Sequence, residues 1–163
     1  MEIVQLNANA KLSEHFTLGE FTKSGSHPEV YNIPSHEAIA NLKRLCVWLE
    51  ALREASPGPT ASPGPSKRRG APIIINSGYR SPQLNRKIGG APNSNHLTGC
   101  AVDIRVSGME QLIRYAAILL DYADESKQDF DELLIEKNRY GAVWVHFAVR
   151  PKDNRRKVAF LNA

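Results

Sequence analysis

Two segments with apolar residues at three- and four-residue spacing constrain the fold more than any other feature of the sequence. Ser35 is a good N-cap for the first, which predicts a long helix ending near Ala55, and the second predicts another long helix. A shorter helix is predicted to begin at Ser81 and Pro82 and to stop at Gly89. Each long stripe needs a surface to pack against. The stripes are Ile39, Leu42, Leu45, Leu49 and Leu52, and Met109, Leu112, Ile113, Ala116, Leu119, Leu120 and Ala123.

Short β-branched or alternating runs predict the strands that supply this surface. They occupy residues 72–76, 100–106, 130–136, 143–149 and, at an edge, 158–161. The turn-like sequence at 137–141 predicts a hairpin between the third and fourth runs. We therefore expect an α+β fold, with helices packed on one side of a mostly antiparallel sheet.

The segment 56–70, SPGPTASPGPSKRRG, interrupts these elements. It holds four prolines and three glycines and almost nothing to bury, which is typical of a flexible loop or a semi-rigid spacer. The 55 residues before it are too few for a comfortable independent core. We interpret residues 1–163 as one domain with an insertion at 56–70.

Charge and composition narrow the class of protein only moderately. The net charge of +4 favours an anionic polymer, such as nucleic acid or a bacterial cell wall. A solvated surface is nevertheless the more ordinary explanation of the two basic clusters, at 67–69 and in the tail at 150–157. No nucleic-acid-binding motif accompanies the charge, and no apolar run approaches the ~20 residues that a membrane helix needs. The first ten residues lack the pattern of a secretory signal. Cys46 and Cys100 can form one disulfide, but two free thiols fit a reducing compartment better.

Of the five histidines, His96 and His146 lie in segments that can hold a metal ion. His96 precedes Asp103 by seven residues in a loop that leads into a strand, and Gly99 permits a close backbone approach between them. His146 provides a third ligand if its strand lies beside that of Asp103. The alternatives are a turn-capping aspartate and a solvent-facing histidine. His15, His27 and His36 are expected to have surface or capping roles.

Three motifs in this order carry a family resemblance: SGYRS at 77–81, SxHxxGxAxD at 94–103 and WVH at 144–146. Together they resemble the zinc D-Ala-D-Ala carboxypeptidases and related murein endopeptidases, the VanY-like group within the hedgehog-type metallopeptidase fold. The opening HFTLGEFTKS and the first long helix also resemble one branch of this group.

The resemblance implies a role for each matching residue. His96, Asp103 and His146 match the ligands of one zinc ion, with a fourth position open for an activated water. Arg80 matches an arginine near the substrate carboxylate or the developing oxyanion. Ser94 matches a serine that contacts the substrate or fixes the loop.

The chain departs from the family pattern at the general base. Many relatives carry a carboxylate three residues before the last histidine, where this chain has Val143. Glu136 is the nearest substitute, because a hairpin centred near Tyr140 places it diagonally from His146, roughly 7–8 Å away. The alternative for Glu136 is a solvated surface carboxylate. Trp144 should share this face, either as a wall of the substrate cleft or as packing.

The resemblance implies a zinc peptidase that hydrolyses peptide stems or cross-links of bacterial peptidoglycan. A wall-binding module with weak or no catalysis on the same fold is the alternative, motivated by Val143 and the basic residues of the tail. We expect a soluble monomer without nucleic-acid or membrane partners. The expected substrate lies outside the cytoplasm, yet no export signal is apparent. A phage-associated protein, or a lysin that stays cytoplasmic until it is released, would account for both facts.

Overall fold

Three α-helices and five strands make up the part of the chain that the computed structural model describes, residues 7–56 and 70–163. The α+β class predicted from the sequence is confirmed. Most of the predicted insertion at 56–70 lies outside the described residues. Two 3-10 turns cover Leu18–Phe21 and Asn95–Thr98. The other elements are α1 (His36–Ala55), β1 (Ile75–Ser77), α2 (Pro82–Ile88), β2 (Ala101–Arg105), α3 (Met109–Ser126), β3 (Glu132–Lys137), β4 (Val143–Ala148) and β5 (Lys157–Asn162).

The five strands form one sheet in the order β1-β2-β4-β3-β5. The neighbours β1/β2, β2/β4 and β4/β3 are antiparallel, and β3 and β4 form the predicted hairpin. β5 pairs with β3 in parallel, so the sheet is mixed, although mostly antiparallel. The edge strand predicted at 158–161 is confirmed and is slightly longer, whereas the strand predicted at 72–76 is reduced to Ile75–Ser77.

The two faces of the sheet have different surroundings. Val102 and Ile104 of β2, with Val145 and Phe147 of β4, share one hydrophobic core with residues of α1 and α3. Because side chains alternate along a strand, Asp103 and His146 point to the opposite face. The predicted packing of helices on one side therefore holds for α1 and α3. The buried Leu84 of α2 lies outside that core.

Helix ends follow the local sequence, but one predicted stripe is partly wrong. The hydroxyls of Ser35 and Ser81 accept hydrogen bonds from the amides of Ala38 and Leu84, and Gly89 ends α2 at φ +74°. In α3, Met109 and Ile113 are 44% and 57% exposed, although both were predicted to be buried. Successive residues are 100° apart around a helix, and the surface that buries Leu112 does not extend around α3 as far as Ile113. Its buried stripe is Leu112, Tyr115, Leu119 and Ala123.

Among the described residues, no helix combines the length and the apolar character needed to cross a membrane.

Candidate metal centre

Two of the three predicted ligands lie side by side on neighbouring strands. Asp103 of β2 and His146 of β4 are direct partners in the antiparallel register. Their side chains are buried, and His146 Nδ1 lies 3.1 Å from Asp103 Oδ1. A metal site that includes both residues requires these two strands to be neighbours in the sheet, and the structure shows that they are.

The third predicted ligand, His96, lies on the 3-10 turn that precedes β2. Its Nδ1 lies 2.7 Å from the carbonyl oxygen of Gly78, a geometry in which Nδ1–H donates the hydrogen bond. Its Nε2 is then the free acceptor, 3.4 Å from Asp103 Oδ1. Nε2 is buried and has no hydrogen-bond partner, which leaves a strong acceptor without compensation.

The donor set fits a divalent metal such as zinc. One ligand atom from each of His96, Asp103 and His146 lies within 4.8 Å of the other two. Two imidazole nitrogens and one carboxylate oxygen are ligands that zinc accepts. The Nε2 of His96 is buried without a hydrogen-bond partner, so its lone pair is available to bind a metal ion. The described residues thus include a possible metal site at the predicted position.

Burial and mutual charge set the protonation of the three side chains. Burial lowers the pKa of His96, which favours the neutral form that a ligand needs. Burial alone would raise the pKa of Asp103, but the neighbouring histidines hold it well below its usual range. Burial would lower the pKa of His146, yet hydrogen bonds to Asp103 and Glu132 raise it to about 9. A cation bound at this ring must displace the additional proton.

Arg80 also reaches the site, but its guanidinium is already engaged. One terminal nitrogen lies 3.1 Å from Asp103 Oδ2, and Nε donates to the hydroxyl of Ser77 at 3.1 Å. Both charged side chains are mostly buried, so this contact orients the carboxylate of Asp103 firmly. The predicted contact of Arg80 with substrate stays a prediction.

Glu136 lies where the hairpin geometry places it. It pairs with Trp144, while Leu134 pairs with His146, so Glu136 is diagonal to His146 on the same face. Burial and the negative charge of Asp103 raise the pKa of Glu136. Trp144, the register partner of Glu136, has a buried indole Nε1 without a hydrogen-bond partner.

Ser94 and Val143 have roles that the structure makes specific. The hydroxyl of Ser94 caps the 3-10 turn by accepting a hydrogen bond from the amide of His96, so this serine fixes the loop. Val143 packs against the hydrophobic core on the helix side of the sheet. A side chain at position 143 therefore points away from the face that carries His146.

Sequence reasoning missed a polar group on the other side of His146. Glu132 Oε1 lies 3.1 Å from His146 Nε2 and accepts a hydrogen bond from Asn95 Nδ2 at 2.7 Å. Asn95 also donates to the buried Asp131 at 2.8 Å. The alternation Glu132, Leu134, Glu136 could have revealed that both glutamates share the face of His146 once the register was known.

The other histidines lie outside the site. His15 pairs with Glu50 at 2.8 Å in a partly exposed group that also includes Glu14, and His27 lies 3.4 Å from Glu29. His36 is the first residue of α1 and is exposed. The surface roles predicted for all three are consistent with these positions.

Comparison with known proteins bears on the same segment of the chain. A family model described as Peptidase M15 matches residues 66–132, about two fifths of the sequence. This match supports a peptidase of the M15 family. The matched segment includes Arg80, His96 and Asp103 and ends before Glu136 and His146. No curated protein matches the chain.

Proposed function

We propose that this chain is a zinc-dependent peptidase that hydrolyses peptide stems or cross-links of bacterial peptidoglycan, as VanY-like carboxypeptidases and murein endopeptidases do. The observation that carries the proposal is the convergence of His96 Nε2, Asp103 and His146 on one buried point. The match to the Peptidase M15 model supports the reaction class. In this proposal the chain acts as a monomer on cell-wall peptides, does not bind nucleic acid and does not insert into a membrane.

Each residue near this point has a proposed task. His96, Asp103 and His146 hold the ion, and a bound zinc ion would polarise the scissile carbonyl and lower the pKa of water. Arg80 keeps the carboxylate of Asp103 in a fixed orientation, and we propose that it also steadies negative charge on the substrate. Trp144 forms part of the wall of the substrate cleft, and Ser94 fixes the shape of the loop that carries His96.

Glu136 is the proposed proton acceptor. Its carboxyl lies on the metal-facing side of the sheet, whereas position 143 faces the core. A raised pKa suits a group that takes up a proton and returns it near neutral pH. The loss of a carboxylate at position 143 is therefore compatible with catalysis.

The second candidate is a wall-binding module that keeps the metal but does not hydrolyse. Val143 motivates it, because the usual base is missing from its usual place. The basic tail supports it less than the sequence indicates, since its arginines are partly neutralised within the chain. Arg150 and Arg155 contact Asp131, and Arg156 contacts Asp124 and Asp129.

The experiment that separates the candidates combines metal analysis with mass spectrometry of digested muropeptides. Wild-type protein should contain one zinc ion and release shorter peptides; a chelator should stop cleavage and added zinc should restore it. His96→Ala should lose both zinc and cleavage. Intact muropeptides in the presence of stoichiometric zinc would favour the binding module, and wild type without zinc would overturn the metal site itself.

A further inference from the structure

We propose that Glu132 is a positioning residue for the metal ligand His146, an inference that rests on the proposed zinc site. Glu132 begins β3, and its Oε1 lies 3.1 Å from His146 Nε2. The other ring nitrogen, Nδ1, lies 3.1 Å from Asp103 Oδ1 on the side of the candidate ion. The two carboxylates therefore hold the ring from opposite edges.

The chemistry of a neutral imidazole explains why this contact matters. One ring nitrogen carries hydrogen and donates, while the other has the lone pair that binds metal. A carboxylate at Nε2 fixes the hydrogen there and leaves Nδ1 free to face the ion. It also makes the ligand nitrogen more basic and prevents rotation of the ring. Glu132 acts through His146 and does not need to touch substrate.

Glu132 is itself held in place, as a positioning residue must be. Asn95 Nδ2 donates to Glu132 Oε1 at 2.7 Å and to Asp131 Oδ2 at 2.8 Å. Arg155 donates three hydrogen bonds to Asp131, two from its guanidinium and one from its backbone amide, and its guanidinium lies 3.5 Å from Glu132 Oε2. Because Asn95 is adjacent to His96, the same amide links the loop of one ligand to the strand that supports the other.

A role for Glu132 as a fourth ligand is the competing interpretation. Glu132 does not belong to the set of side chains whose ligand atoms lie within 4.8 Å of one another. Its oxygen faces Nε2, whereas Asp103 faces Nδ1. The two interpretations differ for the isosteric amide, because glutamine keeps the hydrogen-bond acceptor but loses the anionic ligand.

The test measures zinc affinity by competition with a chromophoric chelator and records the visible absorption of the cobalt-substituted protein. Glu132→Ala should bind zinc about 10–100-fold more weakly and should alter the cobalt spectrum. Glu132→Gln should recover most of the affinity, because its Oε1 can still accept from Nε2–H. Glu110→Ala, at an exposed site on α3, is the matched control and should bind as wild type does.

The outcomes distinguish the inference from the function on which it rests. Wild type that binds no zinc would overturn the proposed site. Wild type that binds zinc, together with a folded Glu132→Ala that binds it equally well, would overturn only the positioning role. A glutamine variant as weak as the alanine variant would also overturn it, in favour of direct ligation.

Discussion

Glu136 lies on the same side of the sheet as the candidate metal site, one diagonal step from His146, and it is the carboxyl that we propose as proton acceptor. We predict that Glu136→Gln lowers turnover of muropeptides by about 10²–10⁴-fold, because the amide cannot accept the proton in the transition state. Zinc content should be unchanged, since no predicted ligand depends on this side chain for its hydrogen bonds. Turnover is measured by chromatography of the released peptides.

Glu125→Gln, an exposed substitution on α3, provides the control for this prediction and should hydrolyse as wild type does. If Glu136→Gln retains full turnover while His96→Ala has none, another group takes the proton and the proposed role of Glu136 is wrong.

Asp131 is buried among donors, and its ionisation should make stability depend on pH. Burial opposes ionisation, but the hydrogen bonds from Arg155 and Asn95 prevail and lower its pKa from an ordinary 3.8 to about 2. A lowered folded-state pKa contributes stability above pH 4, and this contribution disappears as pH falls towards 2. We predict a loss of about 2 kcal/mol over this interval from this group.

The measurement is urea unfolding of chelator-treated protein at several pH values. Asp131→Asn should be less stable than wild type near neutral pH, and its unfolding free energy should fall less between pH 4 and pH 2. Parallel pH curves for the two proteins would show that Asp131 is not the group responsible.

Individual residues also show what sequence alone can and cannot provide. The SxHxxGxAxD and WVH motifs mark His96, Asp103 and His146 as candidate metal ligands from the sequence alone. Glu132 belongs to no motif, but the hairpin register that places Glu136 diagonally from His146 places Glu132 on the other diagonal. The contact could therefore have been inferred by extending the same register two residues further along β3.

At the scale of elements, the turn that carries His96 depends on the glycine that ends it. Gly99 has φ +74°, and a Cβ added there would lie 2.5 Å from the carbonyl oxygen of Ala38 in α1. Gly89, at the end of α2, has the same φ but open space around it. At either position an L-residue would incur the cost of a positive φ. Only at Gly99 would its Cβ also collide with a neighbouring helix.

We predict that Gly89→Ala costs about 1 kcal/mol of unfolding free energy and that Gly99→Ala costs at least twice as much. Gly99→Ala should also weaken zinc binding, because the collision displaces the 3-10 turn of His96 from α1. Denaturant unfolding of metal-free protein and zinc competition measure the two effects. Equal losses in the two variants would contradict the assigned contact with Ala38.

Elements were predictable where their own sequence determines them. N-cap serines, Gly89 and the 137–141 turn gave the ends of α1 and α2 and the hairpin, because these depend on neighbours in the chain. The parallel pairing of β5 with β3 depends on a partner 25 residues away and has no local mark. The side of α3 that is buried likewise depends on the sheet, which is why Ile113 was misassigned.

At the scale of the whole molecule, the candidate ion would add a link on the face opposite the core, between the loop before β2 and two strands that the core already joins. The core lies between the sheet and the helices α1 and α3, whereas the candidate ligands Asp103 and His146 lie on the opposite face, with His96 Nε2 3.4 Å from Asp103 Oδ1. The three candidate ligands come from the loop before β2, from β2 and from β4. A cation held by all three can bind only the folded chain with appreciable affinity, so its binding energy adds to the stability of the fold.

We therefore predict that zinc raises the thermal midpoint and that a chelator lowers it. Free zinc at a hundredfold excess over Kd stabilises the folded state by about 2.7 kcal/mol, which corresponds to a shift of roughly 5–10 °C for a chain of this size. His96→Ala should unfold at a midpoint that neither zinc nor chelator changes. Differential scanning calorimetry of both proteins measures the shift. A midpoint that rises equally in wild type and His96→Ala would mean that zinc binds elsewhere, and the three side chains would then not form its site.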